Sequence, residues 1–417
     1  MNDIQIVICG LGYVGLPLAI AFGEKYNTLG YDINSKRIED LKNGIDSNNQ
    51  LTSDEIKTAN QLEFCTELPN SSKKNIYIVT VPTPIDNFQK PDLSHLENIS
   101  TKIGQLLKPN DIVIYESTVF PGCTEDICVP ILEQNSNLIF NRDFTVGYSP
   151  ERVNPGDKVN TLKKIRKVTS GSTTEAAEYI NELYQSILEV ETHKAPNIKV
   201  AEAAKIIENC QRDVNISFMN ELSLLFDKLD INTQTVLDAA STKWNFLNFH
   251  PGLVGGHCIG VDPYYLLHKA EQISFYPKLI GAGRSINDGM AKHVVEKSIK
   301  SMMKNKIDLK KARVLILGYT FKENIGDTRN TKVGEIADEF SEYQIDAEIF
   351  DPVAMQKNKK FILNPNGKYD LIIFAVNHTV FESINIDFHL NQTGILFNLT
   401  KNKNLNSTIS DKTYISL

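Results

Sequence analysis

The sequence predicts an α/β protein in which two Rossmann-like doubly wound domains are joined by a long central helix and a helical dimerisation region. Three observations predict this. An apolar strand, Ile4 to Cys9, runs into Gly10-Leu11-Gly12-Tyr13-Val14-Gly15 and then a helix-forming segment to about Glu24. The same grammar returns after Ala312, where a strand from Arg313 to Leu317 meets Gly318. Between them, Ile198 to Leu229 holds neither Gly nor Pro and repeats apolar residues at helical spacing, among them Val200, Ala203, Ile207, Val214, Phe218, Leu222 and Leu225. At about 1.5 Å per residue that helix is roughly 45 Å long, more than one small domain spans.

A chain of 417 residues exceeds what one core organises. The expected division is 1–195, a first Rossmann-like domain; 196–305, a central helical domain carrying a cysteine loop; and 306–417, a second Rossmann-like domain. The net charge of −7 and the lack of a dense Lys/Arg run argue against a nucleic-acid partner. No apolar run approaches the ~20 residues of a membrane span. A strand from residue 4 leaves no room for a signal peptide. Six cysteines without a CxxC pair fit a reducing cytoplasm.

In order along the chain, the first strand, glycine loop and helix are followed by a strand near Thr28 to Tyr31 that ends at Asp32. This is the context a dinucleotide fingerprint requires. The glycines permit the tight turn and the approach of pyrophosphate to the helix N-terminus. Asp32, 22 residues after Gly10, would accept from a ribose 2′-OH and repel a 2′-phosphate, so NAD is expected over NADP. Strands Ile76–Val81, Asp111–Glu116 and Phe144–Tyr148 then deliver the loops Thr80-Val81-Pro82-Thr83-Pro84, Ser117-Thr118-Val119-Phe120-Pro121-Gly122 and Ser149-Pro150-Glu151-Arg152-Val153-Asn154-Pro155-Gly156 to one sheet edge. Ligands sit at that edge in open parallel sheets.

The long helix places Lys205, Asn209 and Arg212 on one face. A second segment, Ile231 to Lys243, precedes Trp244 to Ala270, whose prolines and glycines are wrong for a helix or strand interior. That stretch reads as a shaped loop around Cys258, with an inert buried cysteine as the bland alternative. A helix from Lys278 to about Met303 leads to the second unit. There the loop Tyr319 to Arg329, a helix near Val333 to Phe340 and strands at Ala347–Phe350, Asp370–Val376 and Ile395–Leu399 are expected. Lys322 and Arg329 lie at its strand ends, suited to phosphates.

Together GLGYVG with Asp32, TVPTP, ESTVFPG, SPERVNPG, AEAAKIIENCQRDVNISFMNEL, GLVGGHCIGVDP and FKENIGDTRNT, in that order, resemble the UDP-glucose/GDP-mannose dehydrogenase family over essentially the full chain. The resemblance implies a NAD-binding first domain, a UDP-binding last domain and a homodimer formed through the central helices. It implies Cys258 as nucleophile, with Asp262, Lys205, Asn209, Thr118 and Glu151 as its catalytic partners. Cofactor contacts are implied at Gly10, Gly12, Tyr13, Val14, Gly15, Asp32, Arg37, Thr83, Thr118 and Arg329. Substrate contacts are implied at Glu151, Arg152, Asn154, Lys205, Asn209, the loop Phe249-His250-Pro251-Gly252 to Gly255, and Lys322. Where the UDP-glucose branch carries a lysine before the paired aspartate, this chain has Val261, and GGHCIGVDPYYL looks like the branch acting on UDP-N-acetylhexosamines of the Vi-antigen and O-antigen type. Asn398-Leu399-Thr400-Lys401 replaces a basic substrate contact, which only Lys401 could supply.

The implied reaction takes a sugar C6 alcohol to a carboxylate with two NAD⁺, through a thiohemiacetal and a thioester on Cys258. Three other readings compete. They are a UDP-glucose 6-dehydrogenase, a non-catalytic nucleotide-sugar binding protein, and a metal site at His257, Cys258 and His268. The last lacks the ligand spacing that zinc prefers, so no metal is expected and His257 reads as a loop residue or substrate contact.

Overall fold

From Ile6 to Cys9 every side chain is buried, the pattern of a strand covered on both faces of a parallel sheet. The computed structural model describes residues 4–48, 50–152, 159–354, 359–410 and 412–417. The chain divides into two units, Met1–Glu208 with Tyr264–Phe275, and Asn209–Pro263 with Tyr276–Leu417. It passes between them three times, within the helices Ile198–Leu229 and Asp262–Gln272 and again after Phe275.

In the first unit β1 (Ile4–Cys9), β2 (Thr28–Tyr31), β3 (Leu62–Cys65), β4 (Lys74–Val79), β5 (Ile112–Tyr115) and β6 (Thr145–Tyr148) form one parallel sheet in the order β3-β2-β1-β4-β5-β6. Ile8 of β1 pairs with Gly30 of β2 on one side and Ile78 of β4 on the other. The strand order reverses between β1 and β4, which puts the glycine loop at the crevice where such sheets bind ligands. A small pair, β7 (Val168–Thr169) and β8 (His193–Lys194), flanks it. The helix Gly15–Gly23 is apolar nearly all round and packs into the core with Ile6, Ile8, Ile76 and Tyr184.

In the second unit β9 (Val314–Leu317), β10 (Ala347–Phe350), β11 (Tyr369–Phe374), β12 (Leu390–Asn398) and β13 (Thr413–Ser416) are parallel in the order β10-β9-β11-β12-β13. Alternate residues of β9 serve opposite cores, Val314 and Ile316 one and Leu315 and Leu317 the other. Both sheet faces are therefore covered, and the two Rossmann-like units expected from sequence are present.

The long helix spans Ile198–Leu229 as its spacing predicts. The strand expected to reach Val81 stops at Val79, because Thr80 turns away to bond the glycine loop. Trp244 to Ala270 is not loop throughout. A helix starts at Asp262, and Pro263 sits in its first turn, where a missing N–H costs nothing. Among the described residues no helix is long and apolar enough to cross a membrane.

Candidate active site

In the first unit the glycine loop is shaped by its contacts. Gly10 has φ +100°, and a side chain there would press on the Thr80 carbonyl at 3.1 Å. A Cβ on Gly15 would overlap the Gly10 carbonyl oxygen and the Thr80 hydroxyl. Gly12 instead faces open space, where a ligand fits. Val14 gives the helix Gly15–Gly23 no side-chain cap, the arrangement in which first-turn N–H groups meet an anion. Tyr13 lies in the same turn. Asp32 accepts from the amides of Leu11 (2.9 Å) and Asn34 (2.9 Å), one on each oxygen, and keeps lone pairs for a ribose. Arg37 is buried beneath the loop. It donates to the Leu11 carbonyl at 3.0 Å and pairs with Asp46 at 2.7 Å. Its Nη2 is buried without a hydrogen-bond partner among the described residues. These residues fit a dinucleotide.

The strand-end loops are tied to one another. The Thr83 hydroxyl donates to the Thr118 carbonyl (2.7 Å), and the Tyr265 hydroxyl donates to the Thr83 carbonyl (2.9 Å). Glu202, on the long helix, accepts from the amides of Gly122 (2.5 Å) and Thr124 (2.9 Å), anchoring the Thr118 loop. Burial pushes the Glu202 carboxyl up to about 7 despite those bonds. Lys205, one turn along the same helix, is buried.

Glu151 lies in a buried charge cluster. Lys167 reaches Glu116 at 2.7 Å and Glu151 at 2.9 Å, and the Tyr184 hydroxyl donates to Glu116. Burial pushes the Glu116 carboxyl up to about 7 against the pull of Lys167. The Lys167 ammonium is held above its ordinary value, because the two carboxylates outweigh the cost of burying it. Arg152 pairs with Glu208, and its amide donates to Glu151 at 2.6 Å. Asn154 lies outside the described residues.

In the second unit Asn209 donates to Asp262 at 2.6 Å. The amides of Val261 (3.1 Å) and Asp262 (2.8 Å) donate to the Cys258 carbonyl, so Cys258, Asp262 and Asn209 form one bonded group. The His257 Nδ1 lies 3.0 Å from the Cys258 Sγ. Gly256 has φ +81°, and a Cβ there would meet the Phe321 ring at 2.7 Å. Asn220 donates to the Gly252 carbonyl (3.0 Å) and accepts from its amide (2.8 Å), mimicking a peptide pair. Behind it Asn287 and the Arg284–Asp213 ion pair complete a buried chain.

The same unit holds a cavity of about 1050 Å³, walled by Phe249, His250, Pro251, Gly252 and Gly255 with Arg212, Lys322 and Lys401. Phosphates suit such a basic wall. Lys322 sits on a loop braced by Asp351, which accepts from the amides of Tyr319 (2.6 Å) and Thr320 (3.2 Å) and faces His378 (3.1 Å). Burial raises the Asp351 carboxyl, but His378 and those amides bring it below the usual range. Gly318 and Asp351 thus repeat the roles of Gly10 and Asp32, a strand-end turn held by the next strand's aspartate. Arg329 lies bidentate on Asp327, with its Nε 3.0 Å from each oxygen. No three His, Cys, Asp or Glu side chains gather as a metal site among the described residues.

Three family models cover the chain in order. Residues 4–188 match the NAD binding domain of the UDP-glucose/GDP-mannose dehydrogenase family, 199–289 its central domain and 315–398 its UDP binding domain. A UDP-N-acetyl-D-glucosamine 6-dehydrogenase of Pseudomonas aeruginosa is 53% identical over 391 residues, covering 92% of this chain and 93% of that one. The chain belongs to the UDP-glucose/GDP-mannose dehydrogenase family. It is therefore an enzyme of a NAD-dependent nucleotide-sugar dehydrogenase family. A Salmonella typhi UDP-N-acetyl-D-glucosamine 6-dehydrogenase is 51% identical over 92% of each chain. The solved UDP-D-ManNAc dehydrogenase of Pyrococcus horikoshii has a TM-score of 0.87 at 28% identity, covering 99% of this dehydrogenase and 98% of that chain.

Sequence reasoning missed Lys167, Glu116, Glu202 and Asn220. Lys167 stands among other lysines in Leu162-Lys163-Lys164-Ile165-Arg166-Lys167, where no spacing marks it as buried. Glu202 and Asn220 share the long helix with Lys205 and Asn209, and their place on its buried side was the available signal.

Proposed function

We propose that this dehydrogenase oxidises the C6 alcohol of a UDP-N-acetylhexosamine, gluco or galacto at C4, to the uronic acid, for surface polysaccharide precursors. The anchored cysteine loop carries the reading. Asn209 donates to Asp262, whose amide donates to the Cys258 carbonyl, on a loop whose Phe249–Gly255 stretch walls the basic cavity. The identity to relatives named UDP-N-acetyl-D-glucosamine 6-dehydrogenases favours an N-acetylhexosamine over UDP-glucose.

Bound NAD⁺ would accept a hydride from C6, once from the alcohol and once from the cysteine-bound carbon. Gly10, Gly12, Tyr13, Val14, Gly15, Asp32, Arg37, Thr83, Thr118 and Arg329 would hold it, and the Asp32 carboxylate would repel a 2′-phosphate. Lys205, with Asp262 through a water, takes the alcohol proton in the first oxidation. The Cys258 thiolate then adds to the C6 aldehyde, forming a C–S bond and an oxyanion. The Asn209 amide nitrogen carries two hydrogens and spends one on Asp262, so the second can serve that oxyanion beside Lys205. Glu151, with Thr118 holding a water, supplies the base for thioester hydrolysis.

The cavity wall Phe249, His250, Pro251, Gly252 and Gly255 with Lys322 would hold the nucleotide end, and Arg152 and Asn154 the sugar side. The segments 1–195, 196–305 and 306–417 act as cofactor, dimerisation and substrate domains in this reading. Exposed Phe218, Leu225 and Leu229 on the long helix support a homodimer. Absorbance at 340 nm with a panel of UDP-sugars tests the proposal. Two NADH per acid with UDP-N-acetylglucosamine or UDP-N-acetylgalactosamine is expected, and turnover of UDP-glucose alone would refute it.

A further inference from the structure

We propose that His257 is the base that makes Cys258 a thiolate: its Nδ1 takes the thiol proton, and Asp327 faces the Nε2–H of the ring that becomes charged. The inference deepens the covalent reading above and rests on it. Nδ1 lies 3.0 Å from Sγ, within reach of direct transfer, and Nε2 lies 3.7 Å from an Asp327 oxygen. Thiol, imidazole and carboxylate thus stand in the order that recurs wherever an imidazole activates a nucleophile and a carboxylate orients the imidazole.

The ring is held rather than loosely placed. The Phe321 ring packs against it at 5.5 Å between centroids, and that same ring excludes any side chain at Gly256. Asp327 is nearly buried, with a side-chain exposure of 6%. Burial alone would raise its carboxyl, but Arg329 and His257 bring it below the usual range, so it is ionised at neutral pH. Among the described residues, the groups facing the imidazole include Cys258, the Phe321 ring and Asp327, and Arg329 bonds the same Asp327. The Asp262 carboxylate, next along the loop, is engaged by Asn209.

The transfer balances. An S–H bond breaks, an N–H bond forms, and the pair stays neutral overall as thiolate and imidazolium. When sulfur adds to the C6 aldehyde, the carbonyl π pair moves to oxygen, and the imidazolium proton can follow it. The first oxidation loses its alcohol proton to Lys205 with Asp262, and in the second the neutral His257 ring takes back the thiohemiacetal hydroxyl proton as the hydride leaves C6. The glycine-rich sequence around His257 leaves it no helical or strand role. A titrating ring beside the thiol gives that position a chemical reason.

Iodoacetamide alkylation of the full-length enzyme, followed by peptide mapping at Cys258 across pH, reads the thiolate directly. The wild-type rate should reach half its plateau at least one pH unit below the ordinary thiol value of about 8.5. In His257→Asn the inflection should return to about 8.5, and alkylation at pH 7 should fall about tenfold. Asp327→Asn should move it part of the way. Turnover of His257→Asn should be low at pH 7 and recover toward pH 9. His257→Gln is the second variant should the first fail to fold, with NAD affinity and melting temperature as the checks on folding. Wild-type alkylation profiles in both variants would overturn the assignment. Undiminished acid formation by Cys258→Ala would overturn the covalent reading and, with it, the catalytic role of the pair.

Discussion

Lys167→Met removes the cation that bridges two buried carboxylates. The Lys167, Glu116 and Glu151 side chains are 2%, 0% and 5% exposed, so water cannot take over the ammonium's work. Removing one partner of a buried ion pair costs about 3–5 kcal/mol. For a unit of this size, each kcal/mol lowers the melting temperature by about 2–4 °C, so a drop of roughly 6–20 °C is expected at pH 8. The carboxylates left behind have one escape, which is to bind a proton. Glu116 sits at about 7 even with Lys167 in place, and loss of the lysine raises it further. The deficit should therefore shrink as pH falls to 5.5, and Lys167→Met/Glu116→Gln should recover part of it at pH 8. Scanning calorimetry at both pH values measures this. A loss under about 1 kcal/mol, or an equal loss at both, would refute the reasoning.

Glu116→Gln keeps the shape and removes the titration. The Glu116 carboxyl rises from 4.5 to about 7 on folding, so the folded state binds the extra proton between those values. Its stabilisation is complete below about 4.5 and is lost as pH rises through about 7. The variant should thus gain on wild type between pH 5 and 8, by up to roughly 3 kcal/mol, in urea titrations at each pH. Asn220→Ala breaks both bonds to Gly252. It should raise KM for the UDP-sugar several-fold and leave NAD affinity unchanged by fluorescence titration. Gly15→Ala forces a Cβ into the Gly10 carbonyl and should abolish NAD binding by calorimetry, with the second unit still folded.

The two doubly wound units and the glycine loop were legible because strong local signals set them. A strand running into GxGxxG, and an aspartate closing the next strand, leave few alternative structures. Gly318 was legible for the same reason, whereas the bonds from the Tyr319 and Thr320 amides to Asp351 carried no local signal. Asn209 and Asp262 could be named as partners but not as a bonded pair, since their 53-residue separation carries no local pattern. The helix starting at Asp262 was hidden by Pro263, which reads as a breaker until its place in the first turn is known. Lys167 was invisible because burial of a lysine depends on carboxylates supplied by other strands. His257 was weighed as a metal ligand, a loop residue or a substrate contact, because sequence adjacency to Cys258 does not say that ring and sulfur face each other.

The central claim is a covalent sugar adduct on Cys258, and the direct measurement is rapid-quench mass spectrometry of Glu151→Gln mixed with NAD⁺ and UDP-N-acetylglucosamine or UDP-N-acetylgalactosamine. The peptide containing Cys258 should gain the mass of a UDP-N-acetylhexosaminuronyl thioester, with release slowed by about 10²-fold or more relative to wild type. Acid formation at two NADH per sugar, with an unmodified Cys258 peptide at every quench time, would contradict it.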